Sequence, residues 1–243
     1  MRSSLISKTS ASRIVLSGCF GAALLLLASS AQAATLVAPA FFGQPNTTYQ
    51  EWDGFSTTTG PNPATNVNNP YGTPNWFDTT AATDGAFVIG TPPAAHIYSF
   101  SGVLNLEVDV PTPTLGPGAM TTIVLQAEAL GDPLSQSLFG VSYAGLVGGP
   151  LQPTHITEVN EGAASGGFGG GDFYYLVEWD NVPAASSYAI TYSPGDVSSS
   201  QLSARVDTST AVPEPGSLLL AGLGGLALAA VQYRRNRRQV TKR

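Results

Sequence analysis

The chemistry open to this chain is narrow. Its 243 residues contain two histidines, His96 and His155, and one cysteine, Cys19. A Ser-His-Asp triad would have to recruit one of those histidines, yet no G-x-S-x-G turn presents a serine nucleophile. Both histidines fall in stretches that alternate like strands, where a structural or surface role is expected. Zinc is disfavoured on the same count, because two histidines without a cysteine partner leave carboxylates to complete four ligands. Carboxylates are plentiful: fifteen Asp and Glu lie between Ala34 and Val212, most densely at Glu158, Glu161, Glu178 and Asp180. A glycosidase needs two of them facing each other across a sugar cleft, one kept protonated. Acidic side chains on the outer faces of strands account for the group equally well. Hard oxygen ligands also suit calcium, so a structural calcium is compatible with the acidic loops, although no D-x-D-x-D-G loop occurs and no metal ligands are assigned.

Two further stretches bear on ligands. The run GGFGGGDF (166–173) has the glycine spacing of a phosphate loop, but it leads into an alternating segment instead of opening a helix, so a flexible loop is expected and no cofactor. Trp52, Phe55, Tyr71, Trp76 and Phe77 crowd into a loop-rich stretch. Of these, Trp52, Tyr71, Trp76 and Phe77 are the candidate carbohydrate-binding residues, because aromatic faces stack on sugar rings. The competing reading is that they pin long loops onto a β-domain.

The elements that must position these residues follow from charge and hydrophobic pattern. Of ten Lys and Arg, three (Arg2, Lys8, Arg13) precede the first apolar run and six (Arg234, Arg235, Arg237, Arg238, Lys242, Arg243) follow the last one, leaving Arg205 alone between them. The body is therefore strongly acidic and repels phosphate backbones, which argues against nucleic acid as a partner. Residues 1–33 read as a secretory signal: a basic start, an apolar core through ALLLLA, and Ala31-x-Ala33 at the cleavage site, placed between Ala33 and Ala34. Signal peptidase and the Sec translocon are the implied partners. A lipobox reading of Leu16-Ser17-Gly18-Cys19 competes, but most of the apolar core follows Cys19 instead of preceding it. On the preferred reading Cys19 is removed and the mature chain has neither disulfide nor thiol.

Residues 212–238 form an ordered trio, followed by a short tail, 239–243. Pro213-Glu214-Pro215 cannot continue a helix, since each proline fixes φ and biases its predecessor toward extended geometry. Residues 217–233 carry no charge and would span roughly 25 Å as a helix, slightly under the ~30 Å hydrocarbon core. Arg234, Arg235, Arg237 and Arg238 follow at once and are expected to stay cytoplasmic, leaving the acidic body on the other side of the inner membrane. This order resembles the PEP-CTERM sorting signal of Gram-negative bacteria. The resemblance implies an exosortase, an integral-membrane cysteine transpeptidase-like enzyme, as processing partner. It makes Pro213, Glu214 and Pro215 the recognition motif and Arg234 to Arg238 the retention cluster. It also implies association with exopolysaccharide or biofilm matrix.

Between the two ends, residues 34–211 suffice for one sizeable core. Residues 43–80 are rich in Asn, Thr, Pro and Gly and read as irregular loop. Beyond them a period of two takes over: in VLNLEVDV, Leu104, Leu106, Val108 and Val110 share one face and Asn105, Glu107 and Asp109 the other. Further strands are expected at 86–90, 96–100, 121–129, 138–146, 154–159, 172–179, 187–192 and 201–207. Their spacing, with Gly and Pro between them, predicts an all-β antiparallel sandwich, jelly-roll-like. The stretch YLVEWDNVPAASSYAITYSPGD is similar both to a fibronectin type III hairpin and to the closing strands of jelly-roll domains in other PEP-CTERM proteins; a body of about 180 residues favours the jelly roll. The expectation is an exported, non-enzymatic sandwich, with an exported polysaccharide-active enzyme or a purely structural surface protein as alternatives. Mass spectrometry of the mature protein is expected to find an unmodified N-terminus at Ala34; a diacylglyceryl-Cys19 would overturn the signal reading.

Overall fold

Most of the expected strands form, although of 138–146 only Gly140–Ser142 does so, Leu138 ending a 3-10 turn. In the computed structural model, which describes residues 36–81, 83–91, 95–164 and 169–212, β7 (Leu106–Pro111) buries Leu106, Val108 and Val110 and turns Glu107 and Asp109 outward. β12 (Ser187–Tyr192) buries Tyr188, Ile190 and Tyr192. β11 (Gly171–Pro183) buries Phe173, Tyr175, Val177 and Trp179. β5 (Phe87–Ile89), β6 (His96–Ser99), β8 (Met120–Gly131), β9 (Gly140–Ser142), β10 (His155–Ala163) and β13 (Ser199–Ala211) also fall on alternating stretches. Residues 43–80, read above as irregular loop, supply four more strands: β1 (Thr47–Trp52), β2 (Asn62–Pro63), β3 (Asn66–Asn68) and β4 (Asn75–Asp78). Their polar composition hid them. β1 carries Thr48 and Gln50 on its buried face, where Thr48 Oγ1 meets Thr208 Oγ1 at 2.8 Å and Gln50 donates to the Val206 carbonyl at 2.8 Å. The signal segment with Ala33 and Ala34, and everything from Pro213 onward, lie outside the described residues. Among the described residues no helix is long and apolar enough to cross a membrane.

Every strand pairing is antiparallel, and the strands form two sheets. The larger runs β10-β11-β8-β13-β1-β3, with β6 and β5 added beside the N-terminal part of β13; the smaller runs β2-β4-β7-β12-β9. A single bridge from Leu151 to Val141 extends the smaller sheet beyond β9. Taking β1, β7, β8, β9, the Leu151 bridge, β11, β12 and β13 in chain order, the neighbours read first-eighth-third-sixth in one sheet and second-seventh-fourth-fifth in the other. That is the interleaved double Greek key of a jelly roll, and it sets aside the fibronectin type III alternative.

The three tryptophans Trp52, Trp76 and Trp179 are all buried between the sheets. Each indole N–H finds an acceptor: the Asn62 carbonyl at 2.8 Å, the Tyr192 hydroxyl at 2.9 Å and the Leu151 carbonyl at 3.1 Å. Burial of an aromatic body is favourable only when its polar tip is paired in this way. The core is less apolar toward the end of β13, where Tyr188 donates to Thr121 Oγ1 at 2.8 Å and Thr121 meets Thr210 at 3.0 Å.

The outer face of the larger sheet is also covered. Residues 36–46 cross it as a strap, with Val37 exchanging two hydrogen bonds with the Gln126 amide at 2.8 and 2.7 Å. Beneath the strap lies Arg205, 6% exposed. Its guanidinium donates to both oxygens of Asp207 at 2.7 and 2.9 Å, approaches Glu51 at 3.7 Å, and sits about 5 Å from the ring centres of Phe42 and Tyr49. The neighbouring Asp207 carboxylate holds the guanidinium above its usual range. Removing one partner of such a pair leaves an uncompensated buried charge, which costs more than the pair itself contributes. Arg205→Met is expected to destabilise the domain by about 3–5 kcal/mol in urea unfolding, and the double variant Arg205→Met/Asp207→Leu to recover most of that loss. Trp76→Ala is expected to cost about 3–5 kcal/mol by the same measurement.

Candidate functional site

The sequence-predicted aromatics separate once folded. Trp52, Phe55 and Trp76 are buried, with Phe55 packed on Trp76 at 4.3 Å between ring centres. No sugar ring can reach Trp52 or Trp76, so both are corrected from candidate ligand-binding residues to core residues. The reason is parity: Trp52 and Trp76 occupy inward positions of β1 and β4. Phe77, one residue on, faces outward from β4. Tyr71 is 43% exposed in the turn between β3 and β4, where Asn69 donates to the Pro111 carbonyl at 2.8 Å.

The other candidates do not converge. His96 on β6 and His155 on β10 are separated by β13, β8 and β11, about 19 Å across at ~4.8 Å per strand. His155 is exposed and bonds Thr157 Oγ1 at 3.1 Å. Burial lowers the His96 pKa. Glu158 accepts from Gln136, and Asp180 accepts from Thr122 and Thr154, all at the β10–β11 side of the larger sheet. Gly169 and Gly170 lead into β11, as a loop does, and Gly170 lies so close to the Gly131 carbonyl that a Cβ would sit 2.3 Å from its oxygen.

A site that the residue types alone did not single out crosses the outer face of the smaller sheet. Register places Phe77 of β4 opposite Glu107 of β7, and Glu107 opposite Thr191 of β12. The next rung holds Asn75, Asp109 and Ala189. Around Phe77, Glu107 and Asp109 a depression of about 370 Å³ is closed by Thr59, Asp78 and Ala81. It meets a second, of about 430 Å³, at Thr79; that one is lined by Asn105, Leu138, Gln152, Thr191 and Ser193 among others. Together they make a groove with one aromatic face, several hydroxyls and amides, and a carboxylate pair.

Glu107 and Asp109 are two residues apart on one strand face, about 6.6 Å along it. Burial raises the Glu107 pKa, and the Asp109 charge raises it further; burial alone raises that of Asp109. Both are hydrogen-bond acceptors half removed from water, the condition under which donated hydroxyl bonds gain strength. The signal was present as alternation in LEVDVP. What it lacked was the identity of the strands beside it, since Phe77 and Thr191 come from 30 residues before and 84 residues after Glu107.

The described residues end as β13 hands over to the remaining expectation. Ala211 still pairs with Met120, and Val212 alone separates it from Pro213. Residues 211–236 match the PEP-CTERM protein-sorting motif. The match takes in Pro213, Glu214, Pro215, Arg234 and Arg235, while Arg237 and Arg238 fall just beyond it. Comparison with curated proteins and with solved structures gives no match for this chain. The chain is thus an exported β-sandwich protein that carries a PEP-CTERM sorting motif, with the exosortase that reads such motifs as its processing partner.

Proposed function

We propose that this protein is a non-enzymatic component of the cell envelope or extracellular matrix, which binds exopolysaccharide through the groove on its smaller sheet. The observation that supports the reading is the juxtaposition of Phe77 with Glu107 and Asp109: an aromatic face for the apolar side of a sugar ring, and acceptors for its hydroxyls. Charge narrows the ligand class. Fifteen carboxylates share the body with one arginine, and that arginine is buried on the opposite sheet. A polyanionic polymer would be repelled, so the fitting ligand is a neutral or amino-bearing polysaccharide.

Orientation supports the same reading. Before processing, the uncharged segment 217–233 holds the protein at the inner membrane, and the end of the sandwich bearing Ala211, Met120 and Pro183 lies next to the membrane surface. Leu106, Tyr192 and Ser193, which line the groove, belong to the opposite end of the smaller sheet from Pro111 and Ser187, about 17 Å along the six-residue strands β7 and β12. The groove thus lies on the flank of the sandwich, with its Leu106 and Ser193 end farther from the membrane than Pro111.

Two measurements test this. In affinity electrophoresis against neutral polysaccharides, Phe77→Ala is expected to weaken binding about tenfold, equivalent to ~1.4 kcal/mol, with the melting temperature retained. Equal mobility of variant and wild type in every polymer would reject the groove, and newly released reducing ends, lost in Glu107→Gln, would replace it with an enzyme. Separately, Glu214→Ala is expected to leave the unprocessed chain in the inner-membrane fraction; unchanged processing would detach the sorting role from this motif.

A further inference from the structure

We infer that Asp78 and Asp84 form a binding site for one hard divalent cation, calcium, at the loop that closes the end of the groove. The inference is independent of the polysaccharide reading. Asp78 at the end of β4 and Asp84 six residues on are 3% and 5% exposed. Each helps to shape the loop: Asp78 Oδ1 accepts from the Thr80 amide at 3.1 Å, and Asp84 Oδ1 from the Ala86 amide at 2.8 Å. Their remaining oxygens are poorly served. Asp78 Oδ2 is buried without any hydrogen-bond partner. Asp84 Oδ2 has the Thr80 hydroxyl at 3.1 Å. That hydroxyl has one proton to give, and it faces Asp78 Oδ1 at 3.2 Å, Asp84 Oδ2 and the Val103 carbonyl at 3.3 Å. Asn105 already donates to it at 3.1 Å. Three oxygens, two of them from buried carboxylates, therefore compete for a single hydrogen.

Among the described residues nothing repairs this deficit. Arg205 is the sole Lys or Arg among the described residues, and it is committed to Asp207 on the other sheet. Two buried carboxylates need either a proton or a cation. Oxygen-only donors, two of them anionic, match calcium and not a softer metal. The packing also favours a closed site: Gly102 seals the turn over Asp84, where a Cβ would lie 2.4 Å from its Cα. With only two carboxylates, affinity belongs at the weak end, near 10⁻⁴–10⁻³ M, the range of extracellular modules, which an exported protein meets.

A shared proton is the competitor, and it has a different signature. Burial, with Asp84 adding to it, pushes the Asp78 carboxyl up to about 6. The titratable groups around it are Asp84 across Thr80, and Glu107 and Asp109 on the outer face of the adjoining β7. The folded chain then holds the proton more tightly than the unfolded one, so the stability this pair contributes in chelator is fully present below pH ~4 and is lost as pH rises through about 6. At pH 7.5 calcium takes the place of that proton.

The test is thermal unfolding of the purified protein at pH 7.5 in EGTA, in 10 mM CaCl₂ and in 10 mM MgCl₂. Calcium is expected to raise Tm by about 3–10 °C and magnesium to leave it unchanged. Equilibrium dialysis is expected to find one calcium per chain. Asp84→Asn is expected to abolish the calcium response; if that variant does not fold, dialysis of wild type decides alone. Coincident melting curves in EGTA and calcium, or dialysis finding no bound ion at 5 mM, would overturn the proposal and leave the proton as the partner of this pair. So would an undiminished response in a folded Asp84→Asn.

Discussion

The pairing of β13 between β8 and β1 is the constraint on which the remainder of the structure rests. From Ser199 opposite Gly131 to Ala211 opposite Met120, this strand zips the larger sheet along its length, while Thr47 to Trp52 pair along its other edge. β1 and β8 do not pair with each other; β13 lies between them and joins β1 to the β8–β11–β10 half of the sheet. Both partners precede it by roughly 70–160 residues, so the sheet closes only when residues 199–211 are available. Non-local closure of this kind is slow because loop entropy is spent before contacts form. In sequence, Pro213 follows with one intervening residue, so β13, which completes the sheet, is the last strand before the Pro-Glu-Pro stretch.

The same strand explains why one face of the sandwich is spent and the other is open. Arg205 and Asp207 lie on its outer side, and the pair withstands cover because each charge is neutralised and hydrogen-bonded by the other. The strap at residues 36–46 supplies that cover through Phe42 and the Val37–Gln126 exchange. Among the described residues none forms such a lid over the outer face of the smaller sheet. Its Glu107, Asp109 and Phe77 remain accessible, and the grooves lie there. Charge follows this division: the one Lys or Arg among the described residues is locked away, and the open face is acidic.

The aromatic residues obey one rule with two outcomes. Position parity along β4 sends Trp76 inward to the Tyr192 hydroxyl and Phe77 outward to Glu107. Neighbouring residues of similar chemistry thus become a core anchor and a groove wall. Composition cannot separate them, because the strand that sets the parity is written in Asn, Trp, Phe and Asp, without the aliphatic alternation that marks β7 or β12.

By itself the sequence determined the fold class, most of the long strands and the sorting motif, because each is a local pattern: a period of two, or an ordered trio of prolines, apolar run and arginines. Only the tertiary structure decided which strands are neighbours. That choice made core residues of Trp52 and Trp76, gathered Phe77, Glu107 and Thr191 on one face, and brought Asp78, Asp84 and Val103 around one hydroxyl. Register is a relation between segments far apart in the chain, fixed by how whole faces pack, and no single stretch of residues contains it.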